Sequence, residues 1–335
     1  MKIALIGDMH EGKRFPLTTA ATALSFQRLR EDAWSTIMDI PDIAHRISLG
    51  DLFDGFSASG DTLVSAYVKA RQLSWILAGN HDQSNNTDRP SAIQYLKDIF
   101  GMPVVIHHIT AVELGATLLM LVPHHLTQEG FEAALDRAKY SAKTSNHKHK
   151  VLLLHCNYGL REGSETENYL RPEMAKSLLE VFTHIFSGHE HNRNTPLKGV
   201  RMVGSILPFS FGEMKDKSVV VFDTETGLTE EVLLWSEKQF QPWKWREDNV
   251  PPSDGCQFLE ITGSVTVEQA SAINKYITSK YKEGHIIAIK NSTTLIRHER
   301  QAEAVEDLTE WTEEVKKQLN PEQQDLLNEM LGAKL

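Results

Sequence analysis

The sequence predicts an α/β fold, and three observations carry that prediction. Short apolar runs of strand length recur along the chain, helical patterns separate the early ones, and a polar residue capable of chemistry follows most runs within a few positions. Runs of this length favour buried strands over helices, which need ten or more residues. Residues 2–6 form the first such run, followed by a helical pattern over 22–38, a strand at 43–49, a second helical pattern over 61–73 and a strand at 75–78. Further strands are predicted at 151–154 and 183–186, and residues 200–235 are strand-rich. Pro251-Pro252 and Ser253-Asp254-Gly255 make 247–255 a turn-rich linker. Beyond it, strand 258–262, helix 267–282 and strand 286–289 outline a small second unit. The expected organisation is a unit over 1–248, a second over 256–292 and a helical tail over 299–335.

Five motifs occupy the ends of the early runs. They are Asp8-Met9-His10, Gly50-Asp51, Gly79-Asn80-His81-Asp82, His155 and Gly188-His189-Glu190-His191. Open α/β sheets gather their functional groups outside the carboxyl ends of the strands, so five strand ends bring these side chains into one loop layer. Carboxylate, amide oxygen and imidazole together suit borderline divalent cations such as Mn²⁺, Fe²⁺ or Zn²⁺, while the lack of paired cysteines argues against a thiolate zinc site. Two cations ~3.5–4 Å apart can clamp the attacking and leaving oxygens of a phosphoester, with Asp51 as the natural bridge.

The ordered set D-x-H, GD, GNHD, H and GHxH resembles the calcineurin-like metallophosphoesterase superfamily. The resemblance implies a two-sheet sandwich flanked by helices. It also implies that Asp8, His10 and His191 hold one divalent metal, that Asn80, His155 and His189 hold the other, and that Asp51 bridges them. His81 matches the family histidine that meets the scissile phosphate and leaving oxygen, and Asp54 matches the carboxylate that pairs with it; these two are the expected catalytic residues. Outside this order, His107-His108, His124-His125 and the stretch from His147 to Lys150 read as solvated loops, and Cys156 as a buried small hydrophobe.

A finer resemblance lies downstream. Gly204-Ser205, then Ser210-Phe211-Gly212-Glu213, then Val219 to Asp223 is similar to the SbcD-type DNA repair nucleases, including compact bacteriophage-like versions. This resemblance implies Mn²⁺-dependent exonuclease and endonuclease activity on DNA, with 256–292 as a capping domain. It further implies an SbcC-type ABC ATPase partner gripped by the C-terminal helices, and is compatible with a homodimer. A small-molecule nucleotide phosphoesterase is the alternative within the same chemistry, and a catalytically silent scaffold the alternative outside it; the complete ligand set speaks against the scaffold.

Composition supports a cytoplasmic enzyme, in a bacterial cell or in the host of a phage. No run approaches the ~20 apolar residues of a membrane span, and Asp8 cuts short the N-terminal apolar stretch that a signal peptide would need. Two cysteines, Cys156 and Cys256, imply no disulfide framework. No Gly-rich phosphate loop is present, so an ATPase would be a separate chain. The net charge of −10 counts against DNA binding, but ten acidic and four basic residues fall in 299–335, leaving −4 for the rest. Lys13, Arg14, Arg28, Arg30, Lys290 and Arg297 are the local basic candidates. In the tail, Val305, Leu308, Trp311, Val315 and Leu319 recur at helical spacing; Asn320-Pro321 then starts a second helix presenting Leu326, Leu327, Met330 and Leu331.

Overall fold

The computed structural model describes residues 1–83, 90–98, 101, 105–159, 167–245, 256–296, 316, 317 and 324. Two six-stranded sheets form its centre. The first has the spatial order Thr229–Trp235, Lys217–Asp223, Lys2–Ile6, Ile43–Ser48, Trp75–Leu77, Val105–Ile106, and its last four strands run parallel. The second has the order Asn194–Leu197, Val200–Met202, His184–Gly188, His149–His155, Thr117–Val122, Thr110–Leu114, with a parallel centre and antiparallel edges. Helices α1 (Ala20–Met38), α2 (Gly60–Ala70), α3 (Ala92–Asp98), α4 (Gln128–Lys143) and α5 (Pro172–Leu179) link the strands.

The alternation of side chains along each strand builds the layers. In the first strand Ile3 and Leu5 face the second sheet, where they meet Leu119, Leu121, Val151, Leu153 and Phe186. Ala4 and Ile6 point the other way, into a core with Phe26, Trp34 and Ile37 of α1. Met120, Val122, Leu152 and Leu154 likewise face away from the inter-sheet core and pack on Phe131 and Leu135 of α4 and Leu178 of α5. The result is a helix-flanked two-sheet sandwich, the architecture that the family resemblance implies. Thr19 starts α1 through a capping box with Thr22, and the Ser59 side chain caps α2 by accepting from Thr62 N, so α1 begins two residues and α2 one residue ahead of the expected starts at 22 and 61.

A third sheet, all parallel, has the order Phe240–Lys244, Phe258–Val265, Ala288–Leu295. Helix α6 (Val267–Glu283) covers one face, where Ile273 meets Leu259, Ile261 and Ile289. On the other side Phe258, Ile287 and Ala288 join the core that contains Phe15 and Trp235. Tyr281 fastens the contact by donating to the Leu17 carbonyl at 2.8 Å while accepting from Ile289 N at 2.9 Å.

Here the structure departs from the expected boundary at 248. The edge strand Phe240–Lys244 precedes the linker yet belongs to the small sheet, so that unit recruits chain from both sides of the turn-rich stretch. Pro242 disguises the strand in the sequence and is tolerated because only one side of an edge strand must supply hydrogen bonds. Most of the linker, Arg297 and, apart from three residues, the tail over 299–335 lie outside the described residues.

Candidate metal centre

Parallel strand order places the ends of Lys2–Ile6, Ile43–Ser48 and Trp75–Leu77 side by side, and those of His149–His155 and His184–Gly188 next to them on the facing sheet. The loops that follow are tied together by backbone bonds: Met9 N and His10 N both donate to Asp51 O, at 3.1 and 3.0 Å, and Glu11 N donates to Leu52 O at 2.8 Å. Three of the five non-glycine residues with positive φ among the described residues lie here, His10 (45°), Asp51 (49°) and His189 (81°). Left-handed backbone costs each of these residues on the order of 1 kcal/mol, a strain held in place by the surrounding hydrogen bonds. Two glycines make the close approach possible. A Cβ on Gly50 would overlap the His155 ring, and one on Gly79 would overlap the Asp51 carboxylate.

The structure brings all seven expected ligand residues into two groups. In one, Asp8, His10 and His191 offer ligand atoms within 4.8 Å of one another, and in the other Asp51, His155 and His189 do the same. Asn80 joins the second group, its Oδ1 lying 2.9 Å from both His155 Nε2 and His189 Nδ1. Asp51 reaches both groups: Oδ2 is 3.8 Å from His10 Nε2 and Oδ1 is 3.4 Å from His155 Nε2. The Asp8 carboxylate accepts from His189 N at 2.9 and 3.1 Å, which ties the GHxH loop to the first strand.

Ring orientation tests whether these atoms fit a cation. The Leu49 carbonyl, 2.8 Å from His155 Nδ1, can only accept, so Nδ1 carries a proton and Nε2 is aimed at the oxygens of Asn80 and Asp51. Glu213 Oε2, 3.1 Å from His191 Nδ1, orders that ring in the same way, and its Nε2 then stands 2.9 Å from His10 Nε2 and 3.5 Å from Asp8 Oδ2. Converging lone pairs of this kind need a cation or a proton between them, and a buried set of nitrogen and oxygen donors fits divalent metal ions.

Protonation shows the same demand. Burial works against charge on His155, but Asp51 and Asp8 outweigh it and raise the imidazole to about 9, while Asp51, paired with that ring, is held well below the usual carboxylate range despite burial. Burial and the neighbouring His155 push His189 down to about 3, and burial takes His10 far below its ordinary value. Burial opposes charge on both His191 and Glu213, yet their hydrogen bond raises the first and lowers the second to about 2.

The two expected catalytic residues lie at the rim. His81 N donates to Asp51 Oδ1 at 3.0 Å, and His81 Nδ1 lies 2.7 Å from Asp54 O. Asp54 therefore holds His81 through its main chain. Its carboxylate, matched by resemblance to a side-chain partner of His81, instead pairs with Lys13 Nζ at 2.8 Å and lies 3.5 Å from His10 Nδ1. Lys13 is close enough to compete successfully because the turn after His10 folds back, Lys13 N donating to His10 O at 3.0 Å. A cleft of about 290 Å³ lined by Glu11, Asp54, Ser57 and Thr62 opens beside this rim. Another cavity, of about 640 Å³, is lined by Glu113, Met120, Ser145 and His147 and holds none of the site residues.

Other expectations change. His124 is 4% exposed rather than solvated, its ring centroid 6.5 Å from that of His155, because Asn168 clamps the following residue through His125 N at 2.7 Å and His125 O at 2.9 Å. His149 and Lys150 belong to the strand His149–His155, not to a loop. Arg30 is 2% exposed and donates to Lys13 O at 2.8 Å; Lys290 pairs with Glu260 at 2.8 Å; Arg14 and Arg28 remain exposed. Cys156 is buried as expected, and burial pushes its thiol up to about 12.

Sequence reasoning assigned no role to Asp82, Glu213 or Lys217. Asp82 is fully buried and its carboxylate accepts from Leu52 N (3.2 Å), Phe53 N (3.0 Å) and Gly79 N (3.0 Å), locking the loop that carries Asp51 to the loop that carries Asn80. Burial and the nearby Asp51 push its carboxyl up to about 7. Lys217 Nζ donates to His191 O at 2.7 Å. For the first two, the last letters of GNHD and SFGE were the available signal.

The family profile described as calcineurin-like phosphoesterase matches residues 1–193. Comparison with curated proteins finds no match. Similar solved structures include TT1561 of Thermus thermophilus, at 12% identity and a TM-score of 0.43, covering 70% of this chain and 99% of that one. Another is the calcineurin-like phosphoesterase YfkN of Bacillus subtilis, at 13% identity and 0.38, covering 70% and 88%. A third is an archaeal phosphodiesterase, at 15% and 0.36, covering 70% and 99%.

Proposed function

The chain belongs to the calcineurin-like phosphoesterase family, whose members use divalent metal ions, and from that premise we propose that it is a Mn²⁺-dependent phosphodiesterase that cleaves DNA. The observation that carries the hydrolytic part is the placement of Asp51 between two donor groups, one carboxylate oxygen toward each. On this reading Asp8, His10 and His191 hold one cation, Asn80, His155 and His189 the other, and Asp51 both. When bound, the pair of cations supplies Lewis-acid stabilisation of the charge developing on the phosphoryl group and a nucleophile at neutral pH.

The chain's own residues complete the chemistry. Because the Asp54 carbonyl holds the Nδ1–H of His81, Nε2 is the atom that faces the phosphate, and the ring acts as general acid when Nε2 also carries a proton, giving that proton to the departing sugar oxygen and keeping the one on Nδ1. Asp54, through its carboxylate, holds Lys13 at the rim of the site. Support for DNA as substrate comes from the SbcD-like stretch that ends at Glu213, which touches His191, and from the small parallel unit seated on Phe15 beside the first motif. The amphipathic pattern in 299–335 supports an SbcC-type ATPase as partner, and the short apolar runs a cytoplasmic setting. Among the described residues no helix is long and apolar enough to cross a membrane.

One observation favours a small phosphoester instead: Arg30 is buried, and Lys13 and Lys290 are each paired with a carboxylate, so three basic candidates for the DNA backbone are engaged within the protein. Purified protein with Mn²⁺, offered linear duplex DNA, single-stranded circles, small nucleotides and a simple phosphodiester, separates the two. Faster turnover of DNA than of nucleotides at equal concentration supports the proposal; intact DNA beside efficient nucleotide turnover overturns it.

A further inference from the structure

Metal-binding imidazoles depend on what holds the second ring nitrogen, since that partner fixes both the tautomer and the ring plane. The four histidines of the centre differ in this respect. His155 has the Leu49 carbonyl at 2.8 Å, His10 has the Asp54 carboxylate at 3.5 Å, and His189 has the Glu167 carboxylate at 4.0 Å. Glu213, at 3.1 Å from His191 Nδ1, is the one carboxylate of these within hydrogen-bond reach. We infer that Glu213 is a positioning residue for one of the two metal positions: by accepting a hydrogen bond from the Nδ1–H of His191 it fixes the ring plane and aims Nε2 between His10 and Asp8.

Glu213 is itself held. Its Oε2 accepts from Phe209 N at 3.0 Å and its Oε1 from Ser210 Oγ at 2.8 Å, while the backbone of His191 is fixed through Lys217 Nζ at 2.7 Å and Ser205 N at 3.1 Å. The aromatic residues of the same stretch brace it on both sides. Phe209 sets its ring edge-on to His10 and His191, with centroids 5.1 and 5.6 Å away, and Phe211 meets Phe15 at 5.2 Å and Phe240 of the small sheet at 6.3 Å. The Ser210-Phe211-Gly212-Glu213 stretch thus joins the small unit to one side of the centre only. Among the described residues no carboxylate lies within hydrogen-bond distance of the outer ring nitrogen of His155, held by the Leu49 carbonyl, or of His189, so loss of Glu213 acts on the two positions unequally.

This inference rests on the two-metal reading, and a Mn²⁺ titration of metal-free protein by calorimetry tests the two separately. With Glu213→Ala, one equivalent weakens by about 10–100-fold, the scale for losing the outer partner of a ligating histidine, while the other stays within about threefold. Glu213→Gln keeps an acceptor oxygen and the bonds to Phe209 and Ser210, and weakens the same equivalent by only ~3–10-fold. Long-range proton–nitrogen spectra of histidine-labelled protein report the tautomer directly: His191 is protonated on Nδ1 in the parent and mixed in Glu213→Ala. Two unchanged equivalents in Glu213→Ala, or an equal loss of both in Glu213→Gln, overturn the inference and leave the two-metal reading standing. A parent protein that takes up fewer than two equivalents overturns both. If Glu213→Ala does not fold, the glutamine variant and its spectrum decide the matter alone.

Discussion

Replacing Asp82 probes the scaffold under the centre without touching a candidate ligand. The side chain is 0% exposed, and its two oxygens accept three backbone N–H groups, from Leu52, Phe53 and Gly79. Each buried donor left without a partner costs ~1–3 kcal/mol, so Asp82→Ala strands three and is expected to lose on the order of 3–5 kcal/mol after the loops relax. Asp82→Asn can place its amide oxygen at the Oδ2 position, keeping Leu52 and Gly79 satisfied and leaving only Phe53 N facing an NH₂ group. Its expected loss is therefore ~1–3 kcal/mol. The assay is urea denaturation of metal-free parent and variants at one common pH. Because the clamp joins the Asp51 loop to the Asn80 loop, the alanine variant also binds Mn²⁺ more weakly. A midpoint for Asp82→Ala within 0.5 kcal/mol of the parent, by an order-of-magnitude conversion through the slope, would refute the reasoning.

Two further outcomes are expected. His155 must shed its proton to accept a cation, so Mn²⁺ affinity rises with pH up to about 9 and then levels; calorimetry in buffers of different ionisation enthalpy shows the released proton. In metal-free protein the same raised value stabilises the fold fully below about pH 6.5 and is lost as pH rises through about 9; a metal affinity independent of pH over that range contradicts the account. His81→Ala keeps both ions and loses at least ~10²-fold in rate, whereas Asp54→Ala, which preserves the main-chain carbonyl that holds His81, gives a smaller loss; measured metal content and kcat distinguish these from loss of a ligand.

What was legible in the sequence follows from how local each signal is. Strands buried on both faces read as uninterrupted apolar runs, so residues 3–6 and 151–154 stand out, and groups at their ends could be placed without knowing the sheet order. The strand Phe240–Lys244 escaped because an edge strand with Pro242 and polar neighbours resembles a linker. His124 escaped for a different reason. It follows the run Thr117–Val122 by two residues, the same position relative to a strand end as Asp8, but that strand was not assigned and the paired histidines read as a surface loop. The partner of Asp54 is a matter of side-chain geometry across the turn to Lys13, which no spacing rule encodes. Glu213 and Asp82 act on atoms far away in the chain, at distances that only the packed loops define.

The most direct test of the central claim is anomalous diffraction from a crystal of the protein grown with Mn²⁺. The account predicts two peaks flanking Asp51, one among Asp8, His10 and His191 and the other among Asn80, His155 and His189, each in contact with one oxygen of the Asp51 carboxylate. A single ion, or two ions of which either makes no contact with Asp51, would contradict it.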